Sequence, residues 1–351
     1  GWGSAVRNGT QWWIGYWGMD LATNLVASYN IPICIINGAV GGTRIDQHQA
    51  NPANHYVADS YGNTIYANLL NRVAGANLTH GIRAILWHQG ENNSAADSPT
   101  GTWDYLSYQQ YFVDMSAAWK QDYPNVRHYN IFQVCPNPCS MGGKESADML
   151  REVQRTLPHL FSNMSVMSTL GLSGYLGCHF SAAGYTQIAT LIAPLVKQDN
   201  YGFVPTSAIT APDVKRAYFT TTSSSQIALE FGQDMVWNTS APGNFYLDRV
   251  GSRVTSGSAS GKVIKLQVTG ATTNRTIDYV VDQYWGGSAA NLIKGSNGIA
   301  ALTFYAVPIA SPPVCTLTNL PATGITSSSA ALNATLACTG TVYNVLAYWN
   351  T

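Results

Sequence analysis

"AILWHQGENN", residues 84–93, runs an apolar strand straight into His88, Gln89, Gly90 and Glu91. Charge is scarce in this chain: Asp, Glu, Lys and Arg make up 10% of 351 residues, and the formal net charge is zero. A carboxylate and an imidazole at the end of a buried strand therefore need an explanation. In an open parallel sheet, the carboxyl ends of the strands are where ligands bind.

Working outward, the pattern from residue 15 to about 200 alternates between helical and strand periods. "GYWGMDLATNLVASYN" puts Trp17, Leu21 and Leu25 on one stripe, with Ala22 and Val26 beside them, and Asn30 and Pro32 end the helix. "IPICIIN" reads as a continuous apolar strand, "NTIYANLLNRVAGA" as a helix and "IRAILW" as the next strand. "WDYLSYQQYFVDMSAAWKQDYP" is a long helix burying Tyr108, Phe112, Met115 and Trp119. The strand "HYNIFQV", the helix around "SADMLREVQRTL", the strand "SVMST" and the helix "SAAGYTQIATLIAPLV" complete the series. Strands without polar alternation, separated by amphipathic helices, predict a parallel sheet covered on both faces.

After "DNYGFVP" the pattern changes to short alternating stretches between Gly, Ser, Asn and Thr turns, which predicts an antiparallel β-sandwich. "SPPVC" is a Pro-rich joint. The expected units are residues 1–203, an α/β domain; 204–311, an Ig-like sandwich; and 312–351, the opening of a fibronectin-like β domain. Both ends read as cut, since the chain starts at Gly1 and stops inside the strand-like "YNVLAYWNT".

No basic run gathers phosphates, so nucleic acid is not an expected partner. No apolar stretch reaches the roughly 18 residues that span a bilayer. Six cysteines (Cys34, Cys135, Cys139, Cys178, Cys315 and Cys338) in a Ser-, Thr- and Asn-rich chain suggest a secreted or cell-surface protein in which disulfides are allowed. Cys315 can pair with Cys338, and Cys135 with Cys139, or one of these two with Cys178. A zinc site at Cys135, Cys139, Cys178 and His179 competes, but "CPNPC" is a poor match to a C-x-x-C hairpin, and no metal is expected. The sequons at Asn77 and Asn274 say nothing without a host.

Three polar clusters follow strands: "NGAVGGTRIDQH", "HQGENN" and "GCHFSAAGY". Each alone has an ordinary structural explanation. Gly41 and Gly42 make a tight turn, His88 is a satisfied buried histidine, and Ser181 caps a helix. Reading "GAVGGTR" as a phosphate cradle fails for want of a P-loop Lys. All three clusters in this order need a common reason.

"INGAVGGT", "WHQGE" and a late "CHF" before the last helix resemble the sialate O-acetylesterase and acetylxylan esterase branch of the SGNH (GDSL-like) hydrolases, close to carbohydrate esterase family six. The resemblance covers residues 1 to about 200. It implies a flavodoxin-like three-layer fold and hydrolysis of O-acetyl esters on carbohydrate by a serine, with no cofactor. Carried over, His179 is the general base, and the Gly42 N–H and the Gln89 amide are oxyanion donors. Gly41, Thr43, His88 and Asn92 support the site or contact substrate. The family's frequent Asp three residues before the histidine is Leu176 here, so Glu91 is expected within hydrogen-bond reach of His179 in its stead, directly or through one water. The family's "G-Q-S" nucleophile turn is missing, and Ser4 in "GWGS" is a poor substitute because it precedes no apolar strand-to-helix passage.

In the 2-1-3-4-5 strand order, the missing first strand would lie between residues 32–37 and 82–87, leaving a slot of about 10 Å. Unpaired backbone there predicts an extra parallel strand, carrying the serine, from an N-terminal segment or another chain. Direct pairing of 32–37 with 82–87 would exclude it. The alternative reading is a non-catalytic glycan-binding or cell-surface filament protein that keeps the scaffold without its serine.

Overall fold

The computed structural model describes residues 14–94, 105–138, 144–177, 179–270, 273–312 and 314–339. Ser4, Cys139 and Cys178, and with them part of the zinc and cysteine-pairing expectations, lie outside these residues. Helix α1 (Tyr16–Tyr29) buries Leu21 and Leu25, while Val26 is 43% exposed and so leaves the expected stripe. Asn30 ends it in the left-handed conformation, its N–H on the Val26 carbonyl. Helix α2 (Ile65–Gly75), strand β1 (Ala84–Trp87), the single turn α3 (Glu91–Ser94) and helix α4 (Tyr105–Asp122) follow. Strand β2 (His128–Gln133), helix α5 (Glu145–Thr156), strand β3 (Met164–Ser168) and helix α6 (Ala182–Tyr201) complete the first unit.

The strands form a parallel sheet in the order β1-β2-β3. Alternation along β2 shows how three layers arise. Phe132 meets Trp17 of α1 edge-on, whereas Tyr129 packs on Phe112 and Trp119 of α4, so successive side chains serve opposite helical layers. α1 packs beside α6, and α4 beside α5.

One expectation is corrected. Residues 32–37 are extended but belong to no ladder, and β1 is paired only with β2 among the described residues. The hydrophobic run is real, since Ile33, Ile35 and Ile36 pack against the core. A strand also needs a hydrogen-bonded neighbouring strand, and among the described residues none pairs with 32–37. The direct pairing with β1 that would close the sheet is absent. β1 is half-buried along its whole length, whereas β2 is buried beyond its first residue.

The second unit begins at β4 (Val214–Phe219) and continues through β5 (Gln226–Phe231), β6 (Met235–Val236), β7 (Phe245–Leu247), β8 (Val254–Ser260), β9 (Val263–Val268), β10 (Thr276–Tyr279), β11 (Lys294–Gly295) and β12 (Phe304–Ala310). β12 joins its two faces: Phe304, Val307 and Pro308 pair antiparallel with β10, then Ile309 and Ala310 pair parallel with β4. Ile227, Leu229, Ile264, Leu266, Phe245 and Tyr279 fill the core between them. Beyond it β13 (Val314–Thr323) and β14 (Ala331–Thr339) form a hairpin whose register sets Cys315 opposite Cys338.

The two units are fastened through α5. Arg151, only 1% exposed, places Nη1 2.5 Å from Asp282 and Nη2 2.5 Å from Asp148, and its Nε donates to Thr303 at 3.1 Å. Gln133 of β2 donates to the Thr303 carbonyl and accepts from its N–H.

Candidate active site

The site is built at the carboxyl end of β1. Gly90 sits at φ +151, and a Cβ there would lie 2.6 Å from Gln154 Nε2, so only glycine fits between the strand and α5. The Gln89 carbonyl accepts from Gln154 Nε2 at 2.9 Å and from the Tyr108 hydroxyl at 2.8 Å, while Gln154 Oε1 accepts from the Val134 N–H. Trp87 Nε1 donates in turn to Tyr108. The loop after β1 is thus held by α4 and α5 from behind.

In front, its side chains hold the glycine loop. Gln89 Nε2 donates to the Thr43 carbonyl at 3.1 Å and to Asn93 Oδ1 at 2.8 Å. Asn92 Nδ2 donates to the Gly42 carbonyl, and Asn93 Oδ1 also accepts from the Ile45 N–H. Two consecutive carbonyls, Gly42 and Thr43, are therefore turned toward "HQGENN". Gly42, exposed and at φ +73, has no protein partner for its N–H among the described residues. Both Gln89 amide protons are engaged, so in this arrangement Gln89 joins the loops rather than offering a free donor.

Thr43 Oγ1 donates to the Val40 carbonyl at 2.7 Å and so must accept from His48 Nε2 at 2.8 Å. His48 stands edge-on to Trp87, and burial pulls its imidazole down to about 4. His88 is enclosed by the Phe132 and Phe180 rings, and burial lowers its pKa as well, with the Glu91 carboxylate opposing. Glu91 Oε1 lies 3.7 Å from His88 Nε2.

The third cluster joins through Phe180. Tyr175 and Phe180 bridge antiparallel, the Leu176 N–H donates to the His179 carbonyl at 2.7 Å, and Ser181 Oγ caps α6. This hairpin presents His179 at the surface and turns Leu176 into solvent, 74% exposed. The expected direct bond from Glu91 to His179 is not formed. Glu91 faces His88, and the partner of His179 Nδ1 is the Tyr185 hydroxyl at 3.4 Å. Cys135 is a free, buried thiol, which removes the expected pairings that involve it; burial pushes it up to about 12. Among the described residues no cluster of three metal-ligating side chains exists.

The structure thus brings together Gly41, Gly42, Thr43, His88, Gln89, Glu91 and Asn92, with His179 beside them across Phe180. From sequence alone, His48, Asn93, Tyr108, Gln154 and Tyr185 carry no site role. His48, Asn93 and Tyr185 lie inside the three quoted clusters, and Tyr108 reads only as a core residue of its helix; Gln154 has no local signal.

A three-layer α/β sheet with polar loops converging at its carboxyl edge is the class of the SGNH-type hydrolases. The chain belongs to the family described as carbohydrate esterase, sialic acid-specific acetylesterase, whose pattern matches residues 14–198. Among solved structures, a carbohydrate acetylesterase from Xanthomonas citri is similar, with a TM-score of 0.61 and 18% identity over 82% of this chain and 64% of that one. The chain therefore spans under two thirds of that protein's length. No curated protein matches.

Proposed function

We propose that the complete protein is a secreted serine esterase that removes O-acetyl groups from carbohydrate. The observation that carries this reading is the edge of β1 that no strand covers among the described residues, beside an extended 32–37 that joins no ladder there, with the glycine loop, the "HQGE" loop and His179 gathered around its carboxyl end. A further parallel strand in that slot, from residues outside the described ones or from another chain, would satisfy both backbones. It would also deliver a serine at its carboxyl end, where the family's nucleophile belongs.

In the reaction, the serine oxygen attacks the acetyl carbonyl carbon while His179 Nε2 takes the serine proton. The carbonyl electron pair moves onto oxygen, facing the outward Gly42 N–H; such a donor is worth about 3 kcal/mol. As the carbon–oxygen bond to the sugar breaks, His179 returns the proton to the leaving alkoxide. Water then repeats the sequence on the acetyl-enzyme and releases acetate. Glu91 acts on this site through His88, keeping negative charge beside that ring. Export fits the cysteine usage and the register of Cys315 against Cys338.

The competing reading, a glycan-binding or surface-filament protein on the same scaffold, draws support from the exposed Leu176 in the acid's place and from the engaged Gln89 amide. Acetate release from O-acetylated xylo-oligosaccharide and from O-acetyl sialic acid by the full-length protein separates the two. Release that His179→Ala abolishes supports the esterase. Binding of the same glycans without release supports the alternative.

A further inference from the structure

We propose that Tyr185, at the end of the first turn of α6, is the positioning residue of His179, standing where many relatives of this fold use an acid. This rests on the esterase reading above. The phenol oxygen lies 3.4 Å from His179 Nδ1, a length that suits a bond tightening when substrate closes the site. Position 176 cannot supply the group, because the hairpin hydrogen bond from Leu176 N–H to the His179 carbonyl leaves that side chain in solvent. Glu91 does not supply it directly, because it is spent on His88.

Tyr185 is held firmly. Its ring stacks on Tyr16 at 6.2 Å and 7° and meets Phe180 edge-on at 5.9 Å. The phenol oxygen has lone pairs able to accept from His179 Nδ1–H while its own proton turns elsewhere. With the proton on Nδ1, the Nε2 lone pair is free to take the serine proton. A neutral oxygen in place of a carboxylate orients the ring and fixes the tautomer but adds no full charge to stabilise the imidazolium.

The test is a Tyr185→Phe variant, which keeps both ring contacts, studied by imidazole ¹⁵N shifts in the full-length protein with His179 assigned through His179→Ala. The wild type should show His179 as the Nδ1–H tautomer, and Tyr185→Phe should return it toward the Nε2–H form favoured by free imidazole. Turnover of p-nitrophenyl acetate should fall roughly 3- to 10-fold, the worth of one neutral hydrogen bond, with KM unchanged. An unchanged tautomer in the variant, or an Nε2–H tautomer in the wild type, overturns the proposal. A tautomer shift in a protein without esterase activity leaves the proposal standing and removes the esterase reading instead.

Discussion

The parallel sheet has two edges, and the chain treats them differently. At β3 the edge is sealed: Met164, Val166, Met167 and Ser168 are buried, Ser168 donates to the Ala301 carbonyl, and Leu170 just beyond belongs to the core of the second unit. At β1, all four residues are half-buried and one side of the backbone faces no strand among the described residues. An apolar, unpaired edge is a liability that proteins usually cover or charge. Here it carries Ala, Ile, Leu and Trp, and its carboxyl end holds the candidate site. Under the proposed reading, the β3 edge serves stability and the β1 edge is kept for a strand that completes function.

The largest expected effect lies at the open side. His179→Ala should lower p-nitrophenyl acetate turnover in the full-length protein by about 10²–10⁴-fold, with the unfolding midpoint unchanged because the side chain is exposed. A loss under tenfold would take His179 out of the mechanism.

The sealed side should answer in stability instead. Arg151→Met leaves Asp282 without its buried cation and Asp148 with Arg249 alone, at a cost of about 3–5 kcal/mol in urea unfolding. A change below about 1 kcal/mol would mean that α5 is not what fastens the two units.

His48 links the glycine loop to pH. Its folded pKa, about 4, lies below the unfolded value of 6.5, so the unfolded chain takes up the proton first. Its contribution is intact above pH 6.5 and is lost as pH falls toward 4, up to roughly 3 kcal/mol. His48→Gln should flatten the acid limb of a stability–pH curve, and an unaltered limb would place the acid sensitivity elsewhere.

A smaller effect is expected at the loop after β1. Gly90→Ala should cost about 1–3 kcal/mol for a backbone at φ +151, and should displace Gln154 from the Gln89 carbonyl. A crystal structure of the variant with that hydrogen bond intact would contradict the account of the loop.

How much of this could be read in advance follows from the range of each interaction. Helices α1, α2, α4 and α6 were legible because their stripes repeat within a few turns, and Tyr108, Phe112, Met115 and Trp119 are buried as their spacing predicts. The three clusters were legible because each follows a strand. Residues 32–37 misled because an apolar run encodes burial, whereas a ladder also requires a neighbour that the local sequence cannot show. Gln154, Tyr108 and His48 are ordinary in sequence; contacts 65, 19 and 5 positions away give them their roles. Leu176 marked the missing acid, and Tyr185 closes the quoted "GCHFSAAGY", yet only the fold sets its hydroxyl beside the imidazole of His179, six residues back.

The central claim, that the β1 edge receives a strand bearing the nucleophile, is tested most directly by labelling the full-length protein with a fluorophosphonate and mapping the modified peptide. The account predicts one labelled serine, on a peptide outside the described residues, directly after an apolar strand, with labelling lost in His179→Ala. A label on a serine among the described residues, or a folded full-length protein that takes no label, would contradict it.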